Sequence, residues 1–571
     1  MSPHLWNQRV PMRDGVELAI DVYLPAAGVD GGPYPTIFCR DPYWRQVGGA
    51  GVAMRHAYFT ARGYAFVYQD CRGRGDSGGE RYPFFKEFDD GYDSVEWLAT
   101  QPWCDGKIGM MGGSYGGWTQ WATARDRPPH LTTMVSSCAA GKWGEELPWD
   151  RGGISFVMFS WLFMTFGHAM QAADLVDWDR VFKHLPLRTL DRAVGMEMPA
   201  WDDWLDHPLL DDYWRDALLD DYFAALDIPV LHLTGWFDGD QPGQMYFWDG
   251  MQRSVAADQQ RMIIGPWTHG GVFKPVQNVR DVDYTPASVI DMDEVHLQWF
   301  DRWLKGIDNG VSDASPVSYF FTGINEWRGS VAWPRADVIE TPLYLSSGGA
   351  ANTCLGDGAL AFDAPSGDEP ADVFVYDPEE VVDFAGVTFF SATRGLTDVS
   401  WKQDARPLEM RDDVLVFTSE PLTEPIAIAG RPRAVIYGSS DCPDTDWIVG
   451  LSDVDPSGRS LPLSRDEDHQ EMVTQGGRLR ARFREGLDRE VFMAEDEVYA
   501  FAIAMRDVAH VFEAGHRIRL VVNSWDFPAM ARNLNTDESI ADGVTIRVAT
   551  NCVHHSGVHL SHVILPVVAH P

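Results

Sequence analysis

Gly112-Gly113-Ser114-Tyr115-Gly116 decides how this chain is read. Upstream, Ile108 to Met111 is a short apolar run of strand type. Downstream, Gly117 to Ala124, with Trp118, Trp121 and Ala122, reads as the start of a helix. A serine in a tight Gly-x-Ser-x-Gly turn between strand and helix is the context of a nucleophile elbow. The glycines have a steric purpose. Side chains beside the serine would meet the neighbouring strand and helix, and the serine itself sits on a strained turn. The helix N-terminus then directs backbone N–H groups at the place where an oxyanion develops. A chain with 53 glycines meets this pattern by chance as well, so the reading depends on finding partners for the serine.

Working outward, the strand candidates are 17–24, Thr36 to Cys39, Tyr64 to Tyr68, Leu131 to Cys138, Ile228 to Thr234 and Arg261 to Ile264. Helical patterns run over Ala53 to Arg62, Asp89 to Ala99 and Asp291 to Lys305, the last stopping at Gly306. Strands alternating with helices predict an α/β fold with a mostly parallel sheet and its site at the strand C-termini. Between Gly141 and Leu226 the pattern becomes helical and crowded with Trp, Phe and Met. Lying between two sheet strands, this segment reads as a helical cap inserted over the site. Its aromatics both pack and line a pocket. Beyond about residue 315, short strands separated by Pro, Gly and Asp turns take over. They include Val317 to Thr322, Thr341 to Leu345, Asp372 to Tyr376, Arg433 to Gly438, Trp447 to Asp453 and Val544 to Thr550. These predict an all-β sandwich or jelly roll. The expected domains are 1–142 and 227–310 for the α/β part, 143–226 for the cap and 311–571 for the jelly roll.

Composition narrows the partners. The net charge is −38, from 46 basic and 84 acidic residues, which excludes nucleic acid and anionic membranes as expected partners. No apolar stretch is long enough to span a membrane. The start lacks a basic segment followed by an apolar one, so a cytoplasmic enzyme is expected. Seven scattered cysteines with no Cys-x-x-Cys pair read as reduced thiols, not as a zinc site.

A serine hydroxyl needs a base, and the base needs an orienting acid. In an α/β-hydrolase the chain order is Ser, acid, His. Strand 228–234 runs into Gly235-Trp236-Phe237-Asp238-Gly239-Asp240, and strand 261–264 into Gly265-Pro266-Trp267-Thr268-His269. Asp238 and His269 take the two places, with Asp240 as the competing acid. His232, inside a strand, reads as a packed core residue. His168, His184 and His207 belong to the insertion. The backbone N–H of Tyr115 is one expected oxyanion donor. The second is another N–H or the phenol of Tyr43, in the loop after an earlier strand.

Further pieces carry a resemblance. They are Arg40-Asp41-Pro42-Tyr43, Asp70-Cys71-Arg72-Gly73-Arg74-Gly75, His207-Pro208, Trp299-Phe300-Asp301-Arg302-Trp303, Gly515-His516-Arg517 and Arg532-Asn533-Leu534-Asn535. With the elbow, the Asp238 loop and the His269 loop, they resemble the cocaine esterase / X-Pro dipeptidyl-peptidase family. That family also contains the α-amino-acid ester hydrolases and some β-lactam acylases. The resemblance spans nearly the whole chain in the family's order. It implies an α/β-hydrolase domain, a helical cap and a C-terminal jelly roll (galactose-binding-like). It implies Ser114, Asp238 and His269 as the triad and Tyr43 and Tyr115 as oxyanion donors, with no metal or organic cofactor. It also implies that Trp149 and Trp161 line the acyl side. The departures concern substrate. Where cocaine esterases carry an aromatic residue two positions after the triad aspartate, this chain has Asp240. The α-amino-acid ester hydrolases have a carboxylate there, part of a cluster that grips an ammonium group. Their next carboxylate is Gln241 here. Glu145, Glu146 or Asp150 would have to supply further charge. A bland alternative makes Asp240 a hydrogen-bonded loop carboxylate or a partner of Arg151.

The expected function is a serine hydrolase acting on small esters or amides through an acyl-enzyme. Recognition of an amino group, as in an α-amino-acid ester hydrolase, β-lactam acylase or dipeptidyl-peptidase, is the alternative. A non-enzymatic carbohydrate-binding module rests on the jelly roll alone. An exposed sandwich face is compatible with a homo-dimer.

Overall fold

The elbow strand occupies the middle of a ten-stranded sheet in the computed structural model, which describes residues 4–26, 32–45, 55–380, 404–463 and 476–571. The strands are β1 (His4–Pro11), β2 (Glu17–Tyr23), β3 (Tyr34–Asp41), β4 (Ala65–Asp70), β5 (Cys104–Gly113) and β6 (Leu131–Ser137). β7 (Val230–Phe237), β8 (Gln260–Thr268), β9 (Val317–Phe321) and β10 (Glu326–Ser330) follow. Their spatial order is β1-β2-β4-β3-β5-β6-β7-β8-β9-β10. Every neighbouring pair from β4 to β9 is parallel, and the pairs at the two edges are antiparallel. Strands of a parallel sheet need apolar residues on both faces, and β4 and β7 are buried at every position. Alternate residues feed two cores. Phe38, Val67, Met110 and Met134 pack with Val95, Leu98, Trp118 and Trp121 on one side. Ile37, Phe66, Met111 and Val135 pack with Met292, Trp299 and Phe300 on the other.

The predicted helices over Asp89 to Ala99 and Asp291 to Lys305 appear as Glu87–Ala99 and Met292–Trp303. The Asp291 side chain caps the latter by accepting from the N–H groups of Asp293 and Glu294. The helix expected over Ala53 to Arg62 is shorter, His56–Thr60, and its first residues lie outside the described part. Between β6 and β7 come the hairpin Trp149–Asp150 and Gly153–Ile154 and the helices Phe156–Met164, Trp178–Phe182, Leu190–Ala193, Pro199–Asp206 and Asp212–Arg215.

The division at 310/311 assigned Val317 to Thr322 to the β-rich segment, yet β9 and β10 extend the α/β sheet. β9 pairs in parallel with β8, Met262 opposite Val317, so its buried Val317, Tyr319 and Phe321 complete the core beside β8. The local pattern of a strand does not say which sheet it joins.

From Ile339 on, fourteen strands among the described residues form one hydrogen-bonded network. Among the described residues its pairs are antiparallel except Ala359–Ala361 with Leu415–Ser419. Leu343, Phe417, Trp447, Phe501, Leu520 and Leu565 fill its core. The strand expected over Val544 to Thr550 lies later, at Ala549–His554. Ile426–Gly430, Gly477–Arg480, Val508–Phe512 and His562–Val568 are further strands. The chain thus has an N-terminal α/β domain and a C-terminal β domain. All seven cysteines are free. Among the described residues no helix is long and apolar enough to cross a membrane.

Candidate active site

Ser114 follows the last residue of β5 and is the N-cap of the helix Tyr115–Arg125, with φ 57° and ψ −127°. A serine rarely holds such a backbone, and the surroundings enforce it. Its N–H donates to the carbonyls of Ser137 (3.1 Å) and Cys138 (3.0 Å), and its carbonyl accepts from Gly117 and Trp118. A Cβ on Gly112 would sit 2.9 Å from the Gly116 carbonyl oxygen. One on Gly113 would lie 2.4 Å from the Phe273 ring, and one on Gly117 2.6 Å from Ala139 Cβ. Gly116, by contrast, would meet nothing closer than 3.7 Å. The steric need therefore falls on Gly112, Gly113 and Gly117. As the first helical residue, Tyr115 has an N–H without an intrahelical acceptor. Its buried phenol is locked, donating to Glu87 at 2.6 Å and accepting from the Phe84 N–H at 2.8 Å and Arg81 at 3.0 Å.

His269 and Asp238 stand just past the ends of β8 and β7. His269 opens the short helix His269–Phe273, whose Phe273 ring rests against Gly113, so its turn is docked on the elbow. His269 Nδ1 lies 2.9 Å from Asp238 Oδ1. Asp238 is fully buried, and its carboxylate also accepts from the Asp240 N–H (3.0 Å) and the Thr234 hydroxyl (2.7 Å). An ionised carboxylate only accepts, so it fixes the proton on Nδ1 and leaves Nε2 as the basic nitrogen. The His269 side chain keeps 25% of its surface exposed, enough to be reached. Asp240 Oδ2 is 3.9 Å from Nδ1, a full ångström farther than Asp238. Burial opposes the imidazolium, but the hydrogen bond to the Asp238 carboxylate and the charge of Asp240 raise His269 above its ordinary value.

The Cys138 thiol is a neighbour that the sequence reading did not single out. Burial pushes it up to about 11, so it stays protonated. Ligand atoms of Cys138, Asp238 and His269 lie within 4.8 Å of one another. The Asp238 carboxylate is already committed to three donors, so the cluster reads as a hydrogen-bonded group and not a metal centre.

Tyr43 lies in the loop after β3. Asp41 accepts from the Tyr43 N–H at 2.8 Å and from the Tyr68 hydroxyl at 2.6 Å, and burial pushes the Asp41 carboxyl up to about 7. The Tyr43 hydroxyl is within hydrogen-bond reach of Ser114, and burial raises its phenol. Trp161 donates its indole N–H to that hydroxyl and stacks on the Tyr115 ring at 5.3 Å. Trp149 is buried and gives its indole N–H to the Trp204 carbonyl at 2.9 Å.

The acidic residues near the site divide. Glu145 pairs with Lys142 and Arg151, and Asp150 with Arg151 and Arg478. Arg151 is thus engaged by Glu145 and Asp150. Glu146 is different. It is buried, accepts from the N–H groups of Gly141, Lys142 and Gly243, and feels the charge of Asp240, which together with burial pushes it up. Asp240 and Glu146 both line a small cavity that Val157 and Met530 also border. His232 is fully buried between Gln244 and Gln260, and burial lowers it to about 4, as befits a core histidine.

Known proteins match the chain over nearly its whole length. Residues 14–271 match the X-Pro dipeptidyl-peptidase (S15 family) profile, and residues 309–564 match the X-Pro dipeptidyl-peptidase C-terminal non-catalytic domain. The chain is 33% identical over 595 residues to the cocaine esterase of Rhodococcus sp. (strain MB1 Bresler), covering 98% of each. Among solved structures it superposes on an α-amino acid ester hydrolase with a TM-score of 0.84 and 26% identity, covering 99% of this chain and 97% of that one. An aminopeptidase from the marine sediment archaeon Thaumarchaeota archaeon shares the fold, with a TM-score of 0.82 and 24% identity over 100% of this chain and 96% of that one. With an elbow serine, a carboxylate-bound histidine and relatives matched from end to end, the chain belongs to the cocaine esterase / X-Pro dipeptidyl-peptidase (CocE/NonD) family of serine hydrolases.

Proposed function

We propose that this hydrolase cleaves carboxylic esters, and amides of similar size, through an acyl-enzyme on Ser114. The observation that carries the reading is the 2.9 Å bond between His269 Nδ1 and buried Asp238, on a turn docked against the elbow. Ser114 Oγ attacks the carbonyl carbon while His269 Nε2 takes its proton. The tetrahedral oxyanion accepts from the Tyr115 N–H and the Tyr43 hydroxyl. His269 then protonates the leaving group, and water repeats the cycle to release the acid. Residues 143–226 act as a cap whose Trp161 forms the acyl wall, with Trp149 in the layer behind it. The C-terminal β domain is a jelly roll. Turnover of a 4-nitrophenyl ester tests the reading. Ser114→Ala lowers kcat by at least ~10³-fold and Asp238→Asn by a similar order. Near-normal turnover in Ser114→Ala contradicts it.

A second reading has one specific observation in its favour. Asp240 lies 3.9 Å from His269 Nδ1, and its charge acts on the buried Glu146, so two acidic side chains border one small cavity next to the catalytic loop. Partly desolvated carboxylates attract an ammonium group far more strongly than solvated ones. An α-amino acyl group is the substrate feature that this pair fits.

A further inference from the structure

The catalytic-acid loop is held from a distant part of the chain. β7 ends at Phe237 and the helix Gln241–Met251 begins four residues later, so the three residues Asp238-Gly239-Asp240 bridge strand and helix. Its carbonyls lie outside the sheet ladder, and Gly239 adds backbone freedom. Arg506, 268 residues beyond Asp238, reaches this loop from the turn between Tyr499–Ala504 and Val508–Phe512 in the β domain. Its Nη1 donates to the carbonyls of both Asp238 and Gly239, each at 2.8 Å. The next residue closes the far end of the loop. The Asp507 N–H donates to Gln241 Oε1 at 2.8 Å, and Gln241 Nε2 donates to the Asp507 carbonyl at 3.0 Å. The Asp507 carboxylate is fixed in turn by Arg431 at 2.8 Å and by the Trp333 indole at 3.1 Å.

We infer that Arg506 is a positioning residue for the Asp238–His269 pair, so that the C-terminal β domain sets the geometry of the catalytic base. The inference rests on the proposed roles of Asp238 and His269. Simple attachment of one domain to the other is already served by Thr322, whose N–H donates to the Ala509 carbonyl and whose carbonyl accepts from the Val511 N–H, both at 3.0 Å. Arg506 instead puts a guanidinium on two main-chain carbonyls of the loop that carries the acid. Its loss frees that loop to drift, and a displacement of about 1 Å at a reacting group costs up to about 100-fold in rate. Arg506 touches neither substrate nor Ser114 in this account, and acts through the loop that carries Asp238.

The test is a double-mutant cycle in the full chain, with kcat, KM and Tm measured for Arg506→Met, Arg506→Lys, Asp238→Asn and the double variants. Arg506→Met lowers kcat about 10–100-fold with little change in KM. Arg506→Lys recovers part of the loss, since its ammonium can donate to the same carbonyls but lacks the planar, pre-organised head that holds Nη1 in place. In the Asp238→Asn background the Met substitution changes kcat by less than about 2-fold, because the group through which it acts is already disabled. Wild-type kcat in Arg506→Met overturns the inference. So does an equal loss in both backgrounds, which would make Arg506 a general structural tie. Should Arg506→Met fail to fold, Arg506→Lys carries the same comparison. Normal turnover of Asp238→Asn would instead overturn the proposed triad, and the inference with it.

Discussion

The indole Nε1 of Trp161 donates to the Tyr43 hydroxyl at 3.1 Å. A phenol oxygen that accepts this bond has its own proton free to donate. With Ser114 in reach and the phenol raised by burial, that proton is available to an oxyanion across the neutral range. Tyr43→Phe is expected to lower kcat roughly 10–10³-fold with KM little changed. Trp161→Phe removes the supporting bond and trims the ring that stacks on Tyr115, and is expected to cost about 3–10-fold. Steady-state kinetics on one ester checks both, and an unchanged kcat in Tyr43→Phe removes Tyr43 from the mechanism.

The pH dependence follows from the environment of His269. A base works only when deprotonated, and its neighbours hold His269 above its ordinary 6.5. The acid limb of kcat/KM is therefore expected above that value, with activity falling as the pH drops through it. Asp240 is one of the charges that raise His269, so Asp240→Asn is expected to move the limb to lower pH. A limb that stays in place in Asp240→Asn would show that this carboxylate does not act on the histidine.

Substrate preference separates the two readings of Asp240. Phenylglycine methyl ester and phenylacetic methyl ester differ by one amino group. A preference of ~100-fold or more for the amino ester, about 2.7 kcal/mol, is expected if Asp240 and Glu146 bind ammonium, and Asp240→Asn then removes it. Equal kcat/KM values would assign Asp240 to the tuning of His269 alone.

The β domain contains an ionic cluster with its own pH signature. His555 is fully buried, with Nδ1 2.9 Å from Glu369 and Nε2 2.9 Å from Asp372. Burial opposes the imidazolium, and the two carboxylates raise it above the ordinary value. A group raised on folding adds stability that is full below its unfolded value, about 6.5, and is lost as the pH rises through the folded value. The Tm gap between wild type and His555→Gln is thus expected to be larger at pH 6 than at pH 9. A gap that widened with pH would contradict the charged state of His555.

The elbow was legible because strand, glycine turn and helix are contiguous in sequence. Asp238 and His269 were legible because each follows an apolar strand at the sheet's C-terminal edge. The steric demand was assigned to the glycines of the turn as a group, and it extends beyond the motif to Gly117, which meets Ala139 in the segment after β6. Long-range partners left no local trace. Gln241 looked like a missing carboxylate, and its actual partner, Asp507, is 266 residues away. Glu146 stood among three candidate acids until Glu145 and Asp150 proved to be paired with arginines. The 317–321 strand was found, but its sheet was not, because pairing depends on β8.

The most direct test of the central claim is stoichiometric labelling with a 4-nitrophenyl phosphonate, followed by peptide mass spectrometry. One phosphonyl group on Ser114, with release of one 4-nitrophenol and parallel loss of activity, is the expected result. Ser114→Ala should take up none. Labelling at another serine, or full activity after Ser114 has been modified, would contradict the account.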